Sequence, residues 1–140
     1  MMLIIRIAGD VDISNQVREA LFRLKLRRKY AAIIVANPTP QTFKLLKILR
    51  NFVAFGEIDK ETLTELIAKR GQLIDTKSKI KAEEIVSQLE KKDLTALGFK
   101  PFFRLHPPRG GIESKKHFGV GKGVLGDNKK NINVLVRRML

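Results

Sequence analysis

The run Pro107-Pro108-Arg109-Gly110-Gly111 restricts the fold of this chain more than any other stretch. The prolines fix φ and offer no amide donor, and the glycines carry the largest entropy cost of ordering, so no helix passes through it. Gly119, Gly121, Gly123 and Gly126 keep the following residues out of a helix as well. Lys100 to Gly126 therefore reads as a long glycine-rich loop, opened by a short strand at Phe102 to Leu105. Its one acid is Glu113, set against Lys100, Arg104, Arg109, Lys115, Lys116 and Lys122. Ordered loops of that length are uncommon in small proteins unless they serve a function. Amides freed by glycine, together with cationic side chains, suit a phosphate chain. Being a loop, the segment is expected to carry little of the core.

The chain before it alternates strands and helices. Leu3 to Ala8 reads as a strand, and Asp12 or Ser14 can cap the helix that follows. Val17, Ala20, Leu21 and Leu24 recur at helical spacing. A second strand spans Ala31 to Ala36. Thr39-Pro40 then supplies an N-cap with proline at the first helical position, and Phe43, Leu46 and Leu49 form that helix's buried stripe. Phe52 to Phe55 is a third strand, so residues 1–56 read β-α-β-α-β. The first strand is apolar on both faces, with Leu3, Ile5 and Ile7 on one, Ile4 on the other, and only Arg6 breaking the run. Such strands are covered on both sides. The first two helices can cover one side, and the rest of the chain is the candidate lid. Residues 57–99 read as a helical extension, with one helix from Asp59 to Arg70, a loop over 72–79, and another carrying Ala82, Ile85, Val86 and Leu89. After the loop, Asp127 or Asn128 can cap a last helix with Ile132, Leu135, Val136 and Met139 inward. The division expected is 1–56, 57–99 and 100–140, in one compact domain.

Charge points to the partner. The formal net charge is +14, with +7 in residues 1–56, −1 in 57–99 and +8 in 100–140. Two basic ends around a neutral middle fit a polyanion better than a uniformly solvated surface. The absence of cysteine excludes disulfides and thiolate metal sites and fits a reducing compartment. The apolar start, MMLIIRIAGD, is too short for a signal peptide or a membrane span, so a cytoplasmic protein with no membrane partner is expected.

Gly121-Lys122-Gly123-Val124-Leu125-Gly126 matches G-x-G-x-x-G literally, but only 14 residues follow it, too few to complete a dinucleotide-binding unit. His106 and His117 lack the carboxylates or thiols that a catalytic or metal centre would supply. Neither catalysis, a cofactor nor a small-molecule substrate is expected. His117, beside Lys115 and Lys116, suits an RNA-facing position, while His106 suits either that or a packed loop. Phe118 can stack on an unpaired base or plug the loop onto the body. Phe43, Phe52 and Phe55 fall at core positions. Arg27, Arg28 and Lys29 at the end of the first helix suit the helix dipole as well as a phosphate clamp. The expected RNA contacts are Arg104, Arg109, Gly110, Gly111, Lys115, Lys116, His117 and Lys122, with Arg27, Arg28 and Lys29 as a weaker second site.

Two separated strings carry a resemblance that spans essentially the whole chain. They are Asn51-Phe-Val-Ala-Phe-Gly-Glu57 and Arg104-Leu-His-Pro-Pro-Arg-Gly-Gly111, the latter followed by Lys116-His117, Leu125-Gly126 and a basic final helix. The chain resembles the long, archaeal form of the L-thirty family of large-subunit ribosomal proteins, whose eukaryotic cytosolic counterpart is L-seven. The resemblance implies an α+β fold with a three-stranded antiparallel sheet in the order 3-1-2, related to ferredoxin-like folds. It implies a structural constituent of the large ribosomal subunit that contacts 23S-type rRNA, lies near 5S rRNA and touches neighbouring ribosomal proteins. The family usually has a glycine pair where this chain has Lys122-Gly123, so no contact of the first glycine is carried over. Two readings of other classes stand beside it: a free RNA- or DNA-binding chaperone, and a nucleotide-binding enzyme that uses the glycine loop.

Overall fold

The computed structural model describes residues 1–72, 74 and 81–140. Most of the loop expected over 72–79 lies outside the described residues. The elements are β1 (Met2–Arg6), α1 (Asn15–Arg23), β2 (Ala31–Val35), α2 (Pro40–Leu49), β3 (Val53–Glu57), α3 (Lys60–Arg70), α4 (Ala82–Gln88), β4 (Phe103–Arg104), β5 (Glu113–His117), β6 (Gly123–Asp127) and α5 (Ile132–Met139). A 3-10 turn, Lys129–Asn131, leads into α5. Local chemistry sets the helix starts. Ser14 Oγ accepts from the Val17 amide at 3.4 Å, and Thr39 Oγ1 accepts from the Thr42 amide at the same distance, with Pro40 next to the cap.

The sheet is not three-stranded and antiparallel. It has six strands in the order β4-β2-β1-β3-β6-β5. β1 lies between β2 and β3 and is antiparallel to both. β4 adds antiparallel to β2, whereas β3–β6 and β6–β5 are parallel. A three-stranded sheet would leave the outer amides and carbonyls of β2 and β3 without ladder partners. The C-terminal segment supplies those partners on both edges. The stretch expected to be a loop therefore holds β5 and β6, and Val124 and Leu125 of β6 are buried.

The two-faced β1 is covered on both sides. Leu3, Ile5 and Ile7 pack in one cluster with Leu63 and Leu66 of α3, Ile85 of α4 and Val136 of α5. Ile4 packs in the other with Val17, Leu21, Leu46 and Leu49 of α1 and α2. A fully buried Leu or Ile contributes about 1.5–3 kcal/mol, so each helix layer is held mainly by this burial. α2 departs from its expected stripe. Leu46 and Leu49 are buried, but Phe43 is 46% exposed.

Candidate nucleic-acid interface

Arg6 places the first basic cluster. Its side chain is 1% exposed, and each of its three nitrogens donates a hydrogen bond. Nη1 donates to the Leu26 carbonyl at 2.9 Å, Nε to the Ala8 carbonyl at 2.9 Å, and Nη2 to Asp10 Oδ1 at 2.6 Å. The Tyr30 amide in turn donates to the Arg6 carbonyl at 2.8 Å. The connection from α1 to β2 is thus tied at Leu26 and Tyr30, and Arg27, Arg28 and Lys29 project from it, exposed. The hydrogen bond and charge of Arg6 hold the Asp10 carboxyl below its ordinary value of 3.8.

β4 brings a distant residue to this cluster. Arg104 stands opposite Ala31 in the β2–β4 ladder. Arg27, Arg28 and Arg104 consequently line one groove of about 390 Å³ with Lys25 and Phe102. Arg104 lies 5.6 Å from the Phe102 ring centroid, Arg27 6.0 Å from that of Phe22, and Lys29 5.1 Å from that of Tyr30. These placements support the cations against ring faces and leave their charges toward solvent.

The Arg109 bend forms a second cluster. Gly110 and Gly111 take φ of 79° and 72°, a left-handed turn that side chains with a Cβ resist. Arg138 of α5 props it. Its Nε donates to the Arg109 carbonyl at 2.8 Å, and its Nη2 donates to the Gly111 carbonyl. The Arg109 amide donates to the Arg138 carbonyl at 3.0 Å. The loop carbonyls are thus taken by Arg138, and the Arg109 guanidinium is exposed. Arg109, Gly110, Lys122 and Arg138 line a common groove.

The remaining candidates sit on β5. Lys115 and Lys116 are exposed, and Lys116 pairs with Glu113 at 3.3 Å. His117 is half-buried and lines a third groove with Phe43, Lys47, Arg50 and Phe118. His106 is exposed, while its amide donates to the Met139 carbonyl at 2.9 Å. In the β5–β6 turn the positive φ angles fall on Gly119 and Gly121, so Lys122 occupies its place without strain. Gly123 is needed for close approach, since a Cβ there would lie 2.2 Å from the His117 carbonyl oxygen.

The predicted residues therefore form separate clusters rather than one loop surface. Arg27, Arg28 and Arg104 converge, as do Arg109, Gly110 and Lys122, and His117 stands apart with α2. Sequence reasoning missed Lys25, Lys47, Arg50 and Arg138. The only signal for Arg138 was the basic last turn of α5. The glycines of the G-x-G-x-x-G string lie in a turn and in β6, not in the strand–turn–helix that cradles a pyrophosphate. Among the described residues, no helix is long and apolar enough to cross a membrane.

No family model matches the chain. Curated relatives do. The large ribosomal subunit protein uL30 of Aeropyrum pernix is 36% identical over 98% of this chain and 97% of its own length. The uL30 protein of Hyperthermus butylicus is 34% identical over 98% of this chain and 88% of its own. That of Archaeoglobus fulgidus is 34% identical over 99% of both chains. On identity and coverage of this order, which bear out the resemblance carried by the two sequence strings, the chain belongs to the uL30 family of large ribosomal subunit proteins.

Proposed function

We propose that this protein is a structural constituent of the large ribosomal subunit in the cytoplasm and binds large-subunit, 23S-type rRNA, close to 5S rRNA and to neighbouring ribosomal proteins. The observation that carries the RNA reading is the convergence of Arg27, Arg28 and Arg104, 77 positions apart at the extremes, in one groove through the β2–β4 ladder. Exposed guanidiniums, two of them (Arg27 and Arg104) backed by aromatic rings, are suited to bridging phosphate oxygens. The propped Arg109 bend, with Gly110, Gly111 and Lys122 beside it, adds a second phosphate contact. Lys115, Lys116 and Lys29 extend the cationic surface around these two points, and His117 contributes a polar ring in the groove beside α2. In this reading residues 1–56 and 100–140 carry the contacts, and residues 57–99, with their net charge of −1, serve as scaffold within one compact domain. The work is electrostatic positioning, with counterion release as its main driving force, and involves no catalysis.

The test is cosedimentation of tagged protein with large subunits on gradients at moderate salt. Stable comigration is expected, and Arg27→Gln/Arg28→Gln/Arg104→Gln should shift the protein to the top of the gradient. Comigration unaffected by that triple change would refute the assignment of these three residues. Wild-type protein that stays at the top would refute the subunit role.

A further inference from the structure

Two exposed phenylalanines stand in the middle of a cationic surface. Phe43 is 46% exposed on α2, and Phe118 is 40% exposed at the end of β5. Both line the groove of about 420 Å³ between α2 and the β5–β6 pair, together with Lys47, Arg50 and His117. Lys47 and Arg50 are exposed. The one acid on the groove, Asp127, spends Oδ1 on the Lys129 amide at 2.9 Å. Phe118 also borders the Arg109–Lys122 groove, so it forms the ridge between two cationic channels. Core packing does not account for either ring: neither belongs to a core cluster, and α2 is seated by Leu46 and Leu49.

We propose that this groove receives an unpaired nucleotide base, stacked on Phe118 and Phe43, with Lys47 and Arg50 on its flanking phosphates. The assignment rests on the RNA reading above and gives it a single-stranded component. Aromatic faces that alternate with cations are how proteins hold unpaired bases, because every base offers a π-face and its backbone offers charge. A double helix keeps its bases stacked on one another and withholds their faces, leaving its phosphates for the Arg27–Arg28–Arg104 groove to hold without aromatic insertion.

The probe is a short oligoadenylate with one central 2-aminopurine, used single-stranded and as a duplex with its complement. Wild-type protein should bind the single strand with quenching of 2-aminopurine fluorescence. Phe43→Leu/Phe118→Leu should abolish the quench and weaken single-strand binding by ~10-fold, with duplex binding unchanged. Should the double variant fail to fold, photocrosslinking of wild-type protein to a 4-thiouridine strand, mapped by mass spectrometry, decides the matter. Adducts on Phe43, Phe118 or an adjacent residue support the proposal, and adducts confined elsewhere overturn it. Binding of both probes without quench, or with a quench the variant retains, overturns the stacking site and leaves the RNA reading standing. That result would give the groove to a protein neighbour. Failure of wild type to bind either probe or isolated large-subunit rRNA overturns the RNA reading itself and the stacking site with it.

Discussion

Replacing Arg6 by Met tests how a buried cation positions an exposed cluster. The substitution keeps a flexible stem of similar reach and removes the guanidinium, which is 1% exposed and bonded to Ala8, Leu26 and Asp10. Hydrogen bonds from a charged donor contribute about 1.5–3 kcal/mol each, and a buried carbonyl left unpaired costs about 1–3 kcal/mol. Relief from burying the guanidinium offsets part of this. A net loss of about 2–4 kcal/mol is expected, or ~6–12 °C in Tm for a chain of this size. The acid limb supplies an internal check. Because Arg6 lowers the folded-state pKa of Asp10, that contribution is present above the ordinary value of 3.8 and is lost as pH falls through the lowered one. Asp10→Asn should therefore cost stability at neutral pH and nothing at strongly acidic pH, and in the Arg6→Met background most of that cost should disappear, leaving only the weaker pull of Arg18 on the carboxylate. Urea melts across the acid range read all of this. The reasoning fails if Arg6→Met lies within about 0.5 kcal/mol of wild type, the ordinary scatter of surface changes. It fails equally if the Asp10 increment survives undiminished without Arg6.

Other changes have equally definite outcomes. Gly123→Ala forces a Cβ against the His117 carbonyl, at 2.2 Å before relaxation, and should cost about 1–3 kcal/mol in a urea melt. Arg138→Gln unties the Arg109 and Gly111 carbonyls, so affinity for large-subunit rRNA in filter binding should drop by more than that of Arg137→Gln. Replacing residues 109–124 by a Gly/Ser linker removes β5 and the first two residues of β6, and the variant should lose cooperative melting. Retained cooperativity would restore the picture of a detachable loop.

The central elements were legible because their signals are local. The apolar run of β1, the Ser14 and Thr39 caps and the spacing of Val17, Ala20 and Leu21 each specify an element from its own residues, and all appear in the structure. The need for a lid was legible too, since Leu3, Ile5 and Ile7 could not be left bare. β5 was not. Glu113-Ser-Lys-Lys-His117 has no apolar alternation, and its pairing with β6 comes from tertiary placement that propensity does not encode. The exposure of Phe43 escaped for a related reason. Helical spacing puts it on the same stripe as Leu46, but the spot above it is a groove and not a packed layer. The cations proposed as contacts stand out by composition, while their grouping does not. Only the register Ala31↔Arg104 joins Arg104 to Arg27 and Arg28, and only α5 brings Arg138 under the Arg109 bend.

The salt dependence of binding to large-subunit rRNA, wild type against Arg27→Gln/Arg28→Gln/Arg104→Gln, tests the central claim most directly. Each phosphate neutralised adds roughly 0.7–0.9 to the slope of log K against log salt, so the triple variant should bind more weakly with a slope shallower by about 2–3. Its thermal melt should match wild type, because all three side chains are exposed. A slope unchanged by the loss of three cations would contradict the account and make this groove a solvated surface rather than a phosphate site.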